Sequence, residues 1–480
     1  MPGTFKSSSS SSTQSSWPPP PPANETPEQR KVRLEEEALA KKRSDQIDKE
    51  LNAEKESKKR KLGAKILLLG QAESGKSTVL KNFQLLFAPK AFQSEAEIWR
   101  PVIHLNLVRS VNFILSFLTS RLAGMRESSL GQSSTTVLEG GPVQINPEIR
   151  KLVLRLAPLR QVEETLNRAL AGSPGMGAGA ASNATTGNQR YNPARATEVS
   201  VPSGYGWKNA ISGRRSQESS SSNTSDTSEL GQTRRVLAAC GDDIVKLWSD
   251  RGVQQALKSA EIALEEQPGF FLDEASRITE EDYVPLPEDV LKARVTTVGP
   301  EAHVIVDEKE LDSNAREWTI YDVGGSRSQR AAWAQFFDDV NIIIFLAPMS
   351  GFNQVLAEDE SVNRLTDSLR LWQTICSNKI LANLEFVIFL NKLDILAAKL
   401  KSGIQFSQFV TSFVDKPNET KPVAKYLLDV FVSLHQQHSP RKRKLHPHLT
   451  CAVDTKATSS VITRIRDMIL VKFLSQTSVL

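Results

Sequence analysis

Two spacings of apolar residues divide this chain into regions. Toward the C-terminus, short β-rich apolar runs alternate with segments of helical periodicity, and the runs lie at 303–306, 318–323, 341–348, 384–390 and 448–453. A last helical pattern covers about 459–474. Short β-rich runs separated by helices are typical of βαβ units. We therefore predict an α/β domain whose sheet is mostly parallel, with helices on both faces.

A second group of segments has helical periodicity without intervening strands. Residues 99–122 place Ile103, Leu107, Val111 and Leu118 on one face, and further helical patterns occupy 147–170 and 235–291. An apolar run at 66–69 precedes all of them and predicts the first strand of the sheet. The helical group is therefore predicted to be an all-helical domain, inserted after the first helix of the α/β domain.

Two stretches have too few apolar residues to form a core: the N-terminal tail and the Gly- and Ser-rich segment 171–233. The charged segment 27–60 has a thin apolar stripe of Val32, Leu39, Ile47 and Leu51, which fits either a solvated helix or a docking helix for a partner. The predicted divisions are a disordered tail at 1–26, an N-terminal helix at 27–62, an α/β domain at 63–92 and 292–480, and a helical domain at 93–291 containing a disordered insertion at 171–233.

The composition indicates the class and the cellular compartment of the protein more than its function. Hydrophobic residues make up 39% of the chain and the formal net charge is +5, which fits a globular protein with some basic surface. The three cysteines lack the spacing of a metal site or a disulfide framework, so we expect a reducing compartment. We expect no signal region and no membrane span, so that any membrane contact is peripheral.

The strongest chemical signal follows the first apolar run. Gly70 opens a G-x-x-x-x-G-K-S pattern that closes with Gly75, Lys76 and Ser77. In such a loop, successive backbone N–H groups curl around a phosphate, and the following helix N-terminus favours negative charge. Lys76 is predicted to reach the β- and γ-phosphates, and the Ser77 hydroxyl to ligate Mg²⁺. The alternative, a chance glycine-rich turn, is disfavoured by the strand that precedes the pattern.

Later stretches complete a nucleotide site. Asp322 follows a strand, as a Mg²⁺-linked carboxylate does in phosphate-loop nucleotidases, and Gly325 offers an N–H to the γ-phosphate. Asp394 ends the sequence NKLD, and its carboxylate is suited to accept two hydrogen bonds from guanine. Adenine lacks that donor pair, so we predict selection of GTP over ATP. Lys392 is expected to pack along the base, and the Ala452 N–H to meet the guanine carbonyl oxygen.

Taken in order, these motifs resemble the α subunits of heterotrimeric G proteins. The matching stretches are GQAESGKST, DVLKARVTTVG, DVGG, LAEDE, NKLD and TCAVDT, and the resemblance covers nearly everything except the tail, 171–233 and small loops. It implies that Arg294 stabilises charge on the transferring phosphoryl group in cis. It also implies that Thr297 is a protein ligand of Mg²⁺ beside Ser77, and that Glu73 can pair with Arg294.

The resemblance further implies ligands and partners. GTP or GDP would bind with Mg²⁺, and the partners would be a βγ dimer docked on the N-terminal helix, a G-protein-coupled receptor and a downstream effector, with no nucleic acid. The expected location is cytoplasmic, peripheral to the inner face of the plasma membrane, with the basic run 441–444 facing the membrane; nuclear import through that run is a weaker alternative. The predicted nucleotide-binding residues are Glu73, Ser74, Gly75, Lys76, Ser77, Thr78, Leu291, Lys292, Ala293, Arg294, Thr297, Asp322, Gly325, Asn391, Lys392, Asp394 and Ala452.

Ser326 is the departure from the family that bears most on function. It stands where the family has the glutamine that orients the attacking water, and together with Arg294 it is predicted to be catalytic. Because a serine is too short for that role, we predict slow GTP hydrolysis. Gln329 is a nearby amide, but its distance from Gly325 is expected to aim it elsewhere. Pro2 follows Met1, so the usual N-terminal lipidation sites are expected to be absent.

Two functions remain open from the sequence. The first is a guanine-nucleotide signalling switch that hydrolyses GTP, and the second is a GTP-loaded binding or scaffold module with little hydrolysis.

Overall fold

The computed structural model describes residues 26–60, 64–129, 147–171, 200–202, 229–308 and 317–476. The chain divides into two compact units, and helix α1 (Pro27–Arg60) belongs to the first. Along α1 the predicted stripe residues Val32, Leu39, Ile47 and Leu51 are all at least half exposed. Within its own unit, this helix therefore leaves its apolar stripe uncovered.

The described residues of the second unit form a six-stranded sheet and two small two-stranded sheets. In the large sheet every pair of neighbouring strands is parallel except one, which lies at an edge of the sheet. The strands are β1 (Lys65–Gly70), β2 (Ser200–Pro202), β3 (Thr296–Val298), β4 (Glu301–Val306), β5 (Glu317–Asp322), β6 (Ile342–Pro348), β7 (Val355–Leu356), β8 (Asp359–Asn363), β9 (Glu385–Asn391) and β10 (Leu445–Leu449).

The large sheet has the order β10-β9-β6-β1-β5-β4, with β4 antiparallel to β5. Strands β1, β6 and β9 are almost continuously apolar because helices cover both faces of the sheet. Leu67 and Phe345 belong to the core on one face, and Ile66 and Phe389 to the core on the other. The predicted mostly parallel α/β sheet is confirmed.

Helices flank the sheet and form the region between β1 and β4. The helices of the second unit are α2 (Lys76–Phe87), α3 (Pro89–Ser94), α4 (Ala96–Ser129), α5 (Pro147–Arg155), α6 (Leu159–Ala171), α7 (Glu229–Ser249), α8 (Arg251–Ser259), α9 (Ala275–Ile278), α10 (Pro287–Lys292), α11 (Arg364–Ser377), α12 (Leu393–Lys401), α13 (Thr420–His438) and α14 (Thr455–Gln476). A 3₁₀ helix, Arg327–Phe336, follows β5.

The helical region has a hydrophobic core of its own, centred on α4. Val102, Leu107, Val111 and Ile114 of this helix are fully buried against residues of the surrounding helices. Among the described residues, Ala96–Arg121 is the one helical stretch long and apolar enough to cross a membrane, and 78% of its apolar window is buried inside the protein. The apolar composition of α4 is therefore explained by its central place in this core.

The structure differs from the sequence prediction in three places. β10 ends at Leu449, so the strand predicted at 448–453 is wrong in extent; Pro447 is tolerated there because β10 is an edge strand. Helix α7 begins at Glu229, so the disorder predicted for 171–233 is wrong at 229–233. Within the same stretch β2 pairs parallel with β3, and 172–199 and 203–228 lie outside the described residues.

Candidate nucleotide site

A cavity of about 560 Å³ lies at the carboxyl ends of β1, β5 and β9, facing the helical region. Ligands of open α/β sheets bind at this edge. Ser74 is absent from its lining because its side chain is fully buried behind the loop, and Thr297 lies in β3 with its side chain outside what the structure describes. The predicted site residues that line the cavity are Glu73, Gly75, Lys76, Ser77, Thr78, Leu291, Lys292, Ala293, Arg294, Asp322, Gly325, Ser326, Asn391, Lys392, Asp394 and Ala452.

The loop after β1 has the backbone of a phosphate cradle. Glu73 and Gly75 both have positive φ, at 60° and 102°, and α2 begins immediately afterwards at Lys76. The Lys76 ammonium turns back into the loop and donates to the carbonyl oxygens of Gly70 (3.1 Å) and Gln71 (2.8 Å). Burial lowers the pKa of Lys76 to about 8, although the nearby Asp322 opposes this shift. A phosphate in this loop would supply the negative charge that the buried ammonium favours.

Ser77 and Asp322 form an oxygen-rich pair on the cavity wall. The Ser77 hydroxyl donates to Asp322 Oδ2 at 2.5 Å, and Asp322 is 2% exposed. Burial raises the pKa of Asp322, while Lys76 and Ser77 oppose the rise. Hydroxyl and carboxylate oxygens are the ligands that Mg²⁺ takes in phosphate-binding sites, so this donor set fits that ion.

Glu73 holds two arginines at the mouth of the loop. Its carboxylate lies 3.1 Å from the Arg294 guanidinium and 2.9 Å from that of Arg364, and all three side chains are 10–11% exposed. Burial alone would raise the pKa of Glu73, but Arg294, Arg364 and Lys392 together lower it to about 2. The predicted pairing of Glu73 with Arg294 is thus present. The second arginine was missed, although it follows the LAEDE motif closely in sequence.

Arg364 also donates to the Ala72 carbonyl oxygen at 2.8 Å, so it ties the first residue of α11 to the loop. The helical region fixes Arg294 from the other side. The Arg294 N–H donates to Asn106 Oδ1 at 2.9 Å, and Asn106 Nδ2 donates to the Arg294 carbonyl oxygen at 3.3 Å. Asn106 is buried in α4, some 190 positions earlier, so the sequence carries no signal that joins these two residues.

At the opposite end of the cavity Asn391 links three segments. Its amide donates to the Ser74 carbonyl oxygen at 2.9 Å, and its Oδ1 accepts from the Ala452 N–H at 3.0 Å. The sequence predicts that this N–H meets guanine, whereas here it is engaged by Asn391, because β9 and β10 are neighbours and end side by side. Lys392 has φ 64°, an unusual conformation for a residue with a side chain, and burial lowers its pKa to about 8.

Asp394 is exposed on the cavity wall beside Cys451. Burial, together with the charge of the nearby Asp394 carboxylate, raises the pKa of the Cys451 thiol to about 11. The thiol is therefore protonated at neutral pH and adds no negative charge beside the carboxylate that is predicted to select guanine.

The segment after β5 lies directly on the loop. A Cβ added to Gly325 would lie 2.3 Å from the Gln71 carbonyl carbon, so only glycine permits this approach. Arg330 secures the segment because it donates to the Gly325 carbonyl oxygen at 3.2 Å and forms a bidentate pair with Asp367. Gln71 donates to the same carboxylate at 2.5 Å, which connects both segments through α11.

The basic run 441–444 is partly internal. The Arg443 guanidinium lies 4.1 Å from the centre of the Phe386 ring and donates to the carbonyl oxygens of Leu381 and Cys376. The expectation that the whole run faces a membrane is therefore wrong for Arg443, because its side chain packs against β9.

Comparisons with known proteins agree with this geometry. A family described as "G-protein alpha subunit" matches residues 41–469. The chain is 30% identical to the guanine nucleotide-binding protein alpha-4 subunit of Mycosarcoma maydis, over 93% of this chain and 92% of that protein. It is also 28% identical to the alpha-1 subunit of Kluyveromyces lactis, over 90% and 94% of the two chains, and 26% identical to the alpha-2 subunit of Neurospora crassa, over 90% and 95%.

Proposed function

The chain belongs to the G-protein alpha subunit family of GTP-binding signalling switches and GTPases, and we propose that this member hydrolyses GTP slowly. The observation that carries this proposal is Ser326, which follows Gly325 in the segment packed against the phosphate loop. In-line attack on the γ-phosphate needs a water held in position, and one misplaced contact costs about 10²-fold in rate. The serine hydroxyl is too short to take the place of a glutamine amide.

Members of this family bind GTP and GDP with Mg²⁺. In this chain the phosphates would lie in the loop 70–77 against Lys76, and Ser77 and Thr297 would be the protein ligands of Mg²⁺. Bound there, Mg²⁺ would supply positive charge that offsets the negative charge of the phosphates. Asp322 would orient Ser77, since its carboxylate accepts from that hydroxyl.

Arg294 would stabilise the charge that develops on the γ-phosphoryl group. Its side chain lines the cavity, and its backbone is held by Asn106, so the guanidinium needs only to turn from Glu73 toward a phosphate. Glu73 then competes with the phosphate for the arginine. Asp394 would select guanine, while Asn391 would hold the base end of the site together with Ala452.

Alpha subunits of this family act with βγ dimers, receptors and effectors. We propose the exposed stripe of α1, Val32, Leu39, Ile47 and Leu51, as the face that a βγ dimer covers. We also propose a position at the inner face of the plasma membrane through such partners. We also propose a division into an α/β domain at 63–92 and 292–480 and a helical domain at 93–291; the hydrophobic core within the helical region supports this proposal.

The test is a nucleotide-binding and single-turnover hydrolysis assay on the purified full chain with Mg²⁺. GTP should bind, and Ser326→Gln should hydrolyse it about 10²-fold faster than its parent. The same comparison in an Ala72→Gly background tests whether the Ala72 methyl group, which lies within the phosphate loop, also contributes to slow hydrolysis. If Ser326→Gln is no faster in either background, the proposed reason for slow hydrolysis is wrong. Tight GTP binding with no detectable turnover would favour the alternative of a GTP-loaded binding module.

A further inference from the structure

We propose that Gln329 is the amide that orients the attacking water in this protein, and that Ser326 is a positioning residue that holds Gln329 in place. The inference rests on the proposed GTPase function and names the group through which the slow reaction proceeds. It differs from the sequence prediction, in which Gln329 is aimed away from the γ-phosphate.

The local backbone brings the two side chains together. Ser326 precedes the 3₁₀ helix Arg327–Phe336, and the Gln329 N–H donates to the Ser326 carbonyl oxygen at 3.0 Å. A 3₁₀ helix has three residues per turn, so side chains at i and i+3 lie on one face. The Ser326 hydroxyl accordingly donates to Gln329 Oε1 at 2.9 Å. The separation of three residues, which seemed to remove Gln329 from the site, places it beside Ser326.

The Gln329 amide lies against Gly324, the residue before the glycine that packs on the phosphate loop. A Cβ added to Gly324 would lie only 2.0 Å from Gln329 Oε1, so the amide occupies the space that the missing side chain leaves. Trp333 holds this glycine by donating to its carbonyl oxygen at 2.9 Å. Ser326 and Gln329 both line the cavity together with Lys76. The amide thus lies at the wall where the γ-phosphate is expected.

Other groups near the loop are already engaged. The Glu73 carboxylate pairs with two arginines, and Asp322 accepts from Ser77. An amide has two acceptor lone pairs and two N–H donors. Gln329 is therefore equipped to accept from Ser326 and from a water at once, while its N–H groups donate to a phosphate oxygen.

The reaction itself needs no further reagent. The water oxygen forms a bond to the γ-phosphorus while the bond to the β,γ-bridging oxygen breaks, and that electron pair stays with GDP. The protons of the water leave with the phosphate product, and Gln329 remains neutral throughout. Gln329 contributes only by orienting the water. This contribution is limited because the Gln329 oxygen also accepts a hydrogen bond from Ser326.

The experiment is single-turnover hydrolysis by the full chain at saturating GTP with Mg²⁺. Gln329→Ala should slow hydrolysis at least ~10-fold, with GTP affinity within about threefold of the parent. Gln335→Ala is the matched control, because Gln335 is an exposed glutamine of the same 3₁₀ helix, and it should hydrolyse at the parental rate. A parental rate in Gln329→Ala, or a parent with no detectable hydrolysis, would overturn the proposal.

The role of Ser326 is tested through its dependence on Gln329. Ser326→Ala should slow hydrolysis, Ser326→Thr should retain the rate because it keeps the hydroxyl, and Ser326→Ala should cause no further loss in a Gln329→Ala background. Independent, multiplicative losses would overturn the coupling. If Gln329→Ala does not fold, the Ala and Thr variants of Ser326 still decide. Failure to bind GTP at all would instead refute the proposed function. The affinity measurement distinguishes this outcome from a loss of hydrolysis alone.

Discussion

Glu73 should strongly stabilise the folded protein in the absence of nucleotide. Replacing it with glutamine measures its contribution to the free energy of unfolding. Glutamine has the shape of a protonated carboxyl group, so Glu73→Gln removes the negative charge between Arg294 and Arg364 with little change in packing. The neighbouring cationic groups outweigh burial and lower the pKa of the Glu73 carboxyl group from 4.5 to about 2. A shift of this size corresponds to about 3 kcal/mol of folding free energy at pH 7.

The sign of the pH dependence follows from the lowered pKa. The unfolded chain binds a proton at Glu73 more readily than the folded chain, so the stabilisation is complete above pH 4.5 and is lost as the pH falls toward 2. At pH 3.5 about 2 kcal/mol should remain. The difference in unfolding free energy between parent and Glu73→Gln should therefore shrink by about 1 kcal/mol between pH 7 and pH 3.5.

Urea unfolding of nucleotide-free protein at several pH values is the assay. Glu148→Gln is the control, because Glu148 forms an ion pair with Lys151 at the surface with both side chains about two-thirds exposed, and such pairs contribute little. A Glu73→Gln difference below about 0.5 kcal/mol at pH 7, or one that does not change with pH, would refute the reasoning. It would mean that the two arginines are adequately solvated without the carboxylate.

Three further predictions concern the rest of the site. Asp394→Asn should weaken GTP binding at least ~10²-fold with little change in Tm, and equal affinity of the parent for ATP and GTP in competition binding would contradict the assignment. Glu266→Gln should speed GDP release severalfold, because Glu266 lines the cavity from the helical region and contacts Lys399 (2.8 Å) and Gln354 (3.0 Å) of the α/β domain. Unchanged release, measured beside an exposed Glu261→Gln control, would show that this contact does not retain nucleotide. Deleting 203–228 should leave GTP affinity nearly unchanged, since loop closure depends weakly on length, and a large loss by calorimetry would show that the segment supports the site.

The site residues carried by contiguous motifs were predictable from sequence. Gly70, Lys76 and Ser77 lie on one strand–loop–helix unit, and the spacing required by a phosphate cradle is local. Asp322 and Asp394 each follow an apolar run, and parallel strands bring their carboxyl ends to the same edge of a sheet. Such residues are found from sequence because their positions depend on secondary structure and on one general rule of topology.

The tertiary structure alone decided which side chains share a partner. Arg364 and Arg294 meet at Glu73 because α11 begins at the phosphate loop and the segment after α10 passes beside it, and Asn106 fixes Arg294 from α4. The hydrogen bond from Ser326 to Gln329 depends on the 3₁₀ form of the helix after β5, which apolar spacing does not distinguish from a loop. The sequence by itself therefore determined the fold class and the phosphate loop, because these depend on local pattern. The pairing of charges and the aim of the amide depend on packing between distant segments, and only the folded chain decides them.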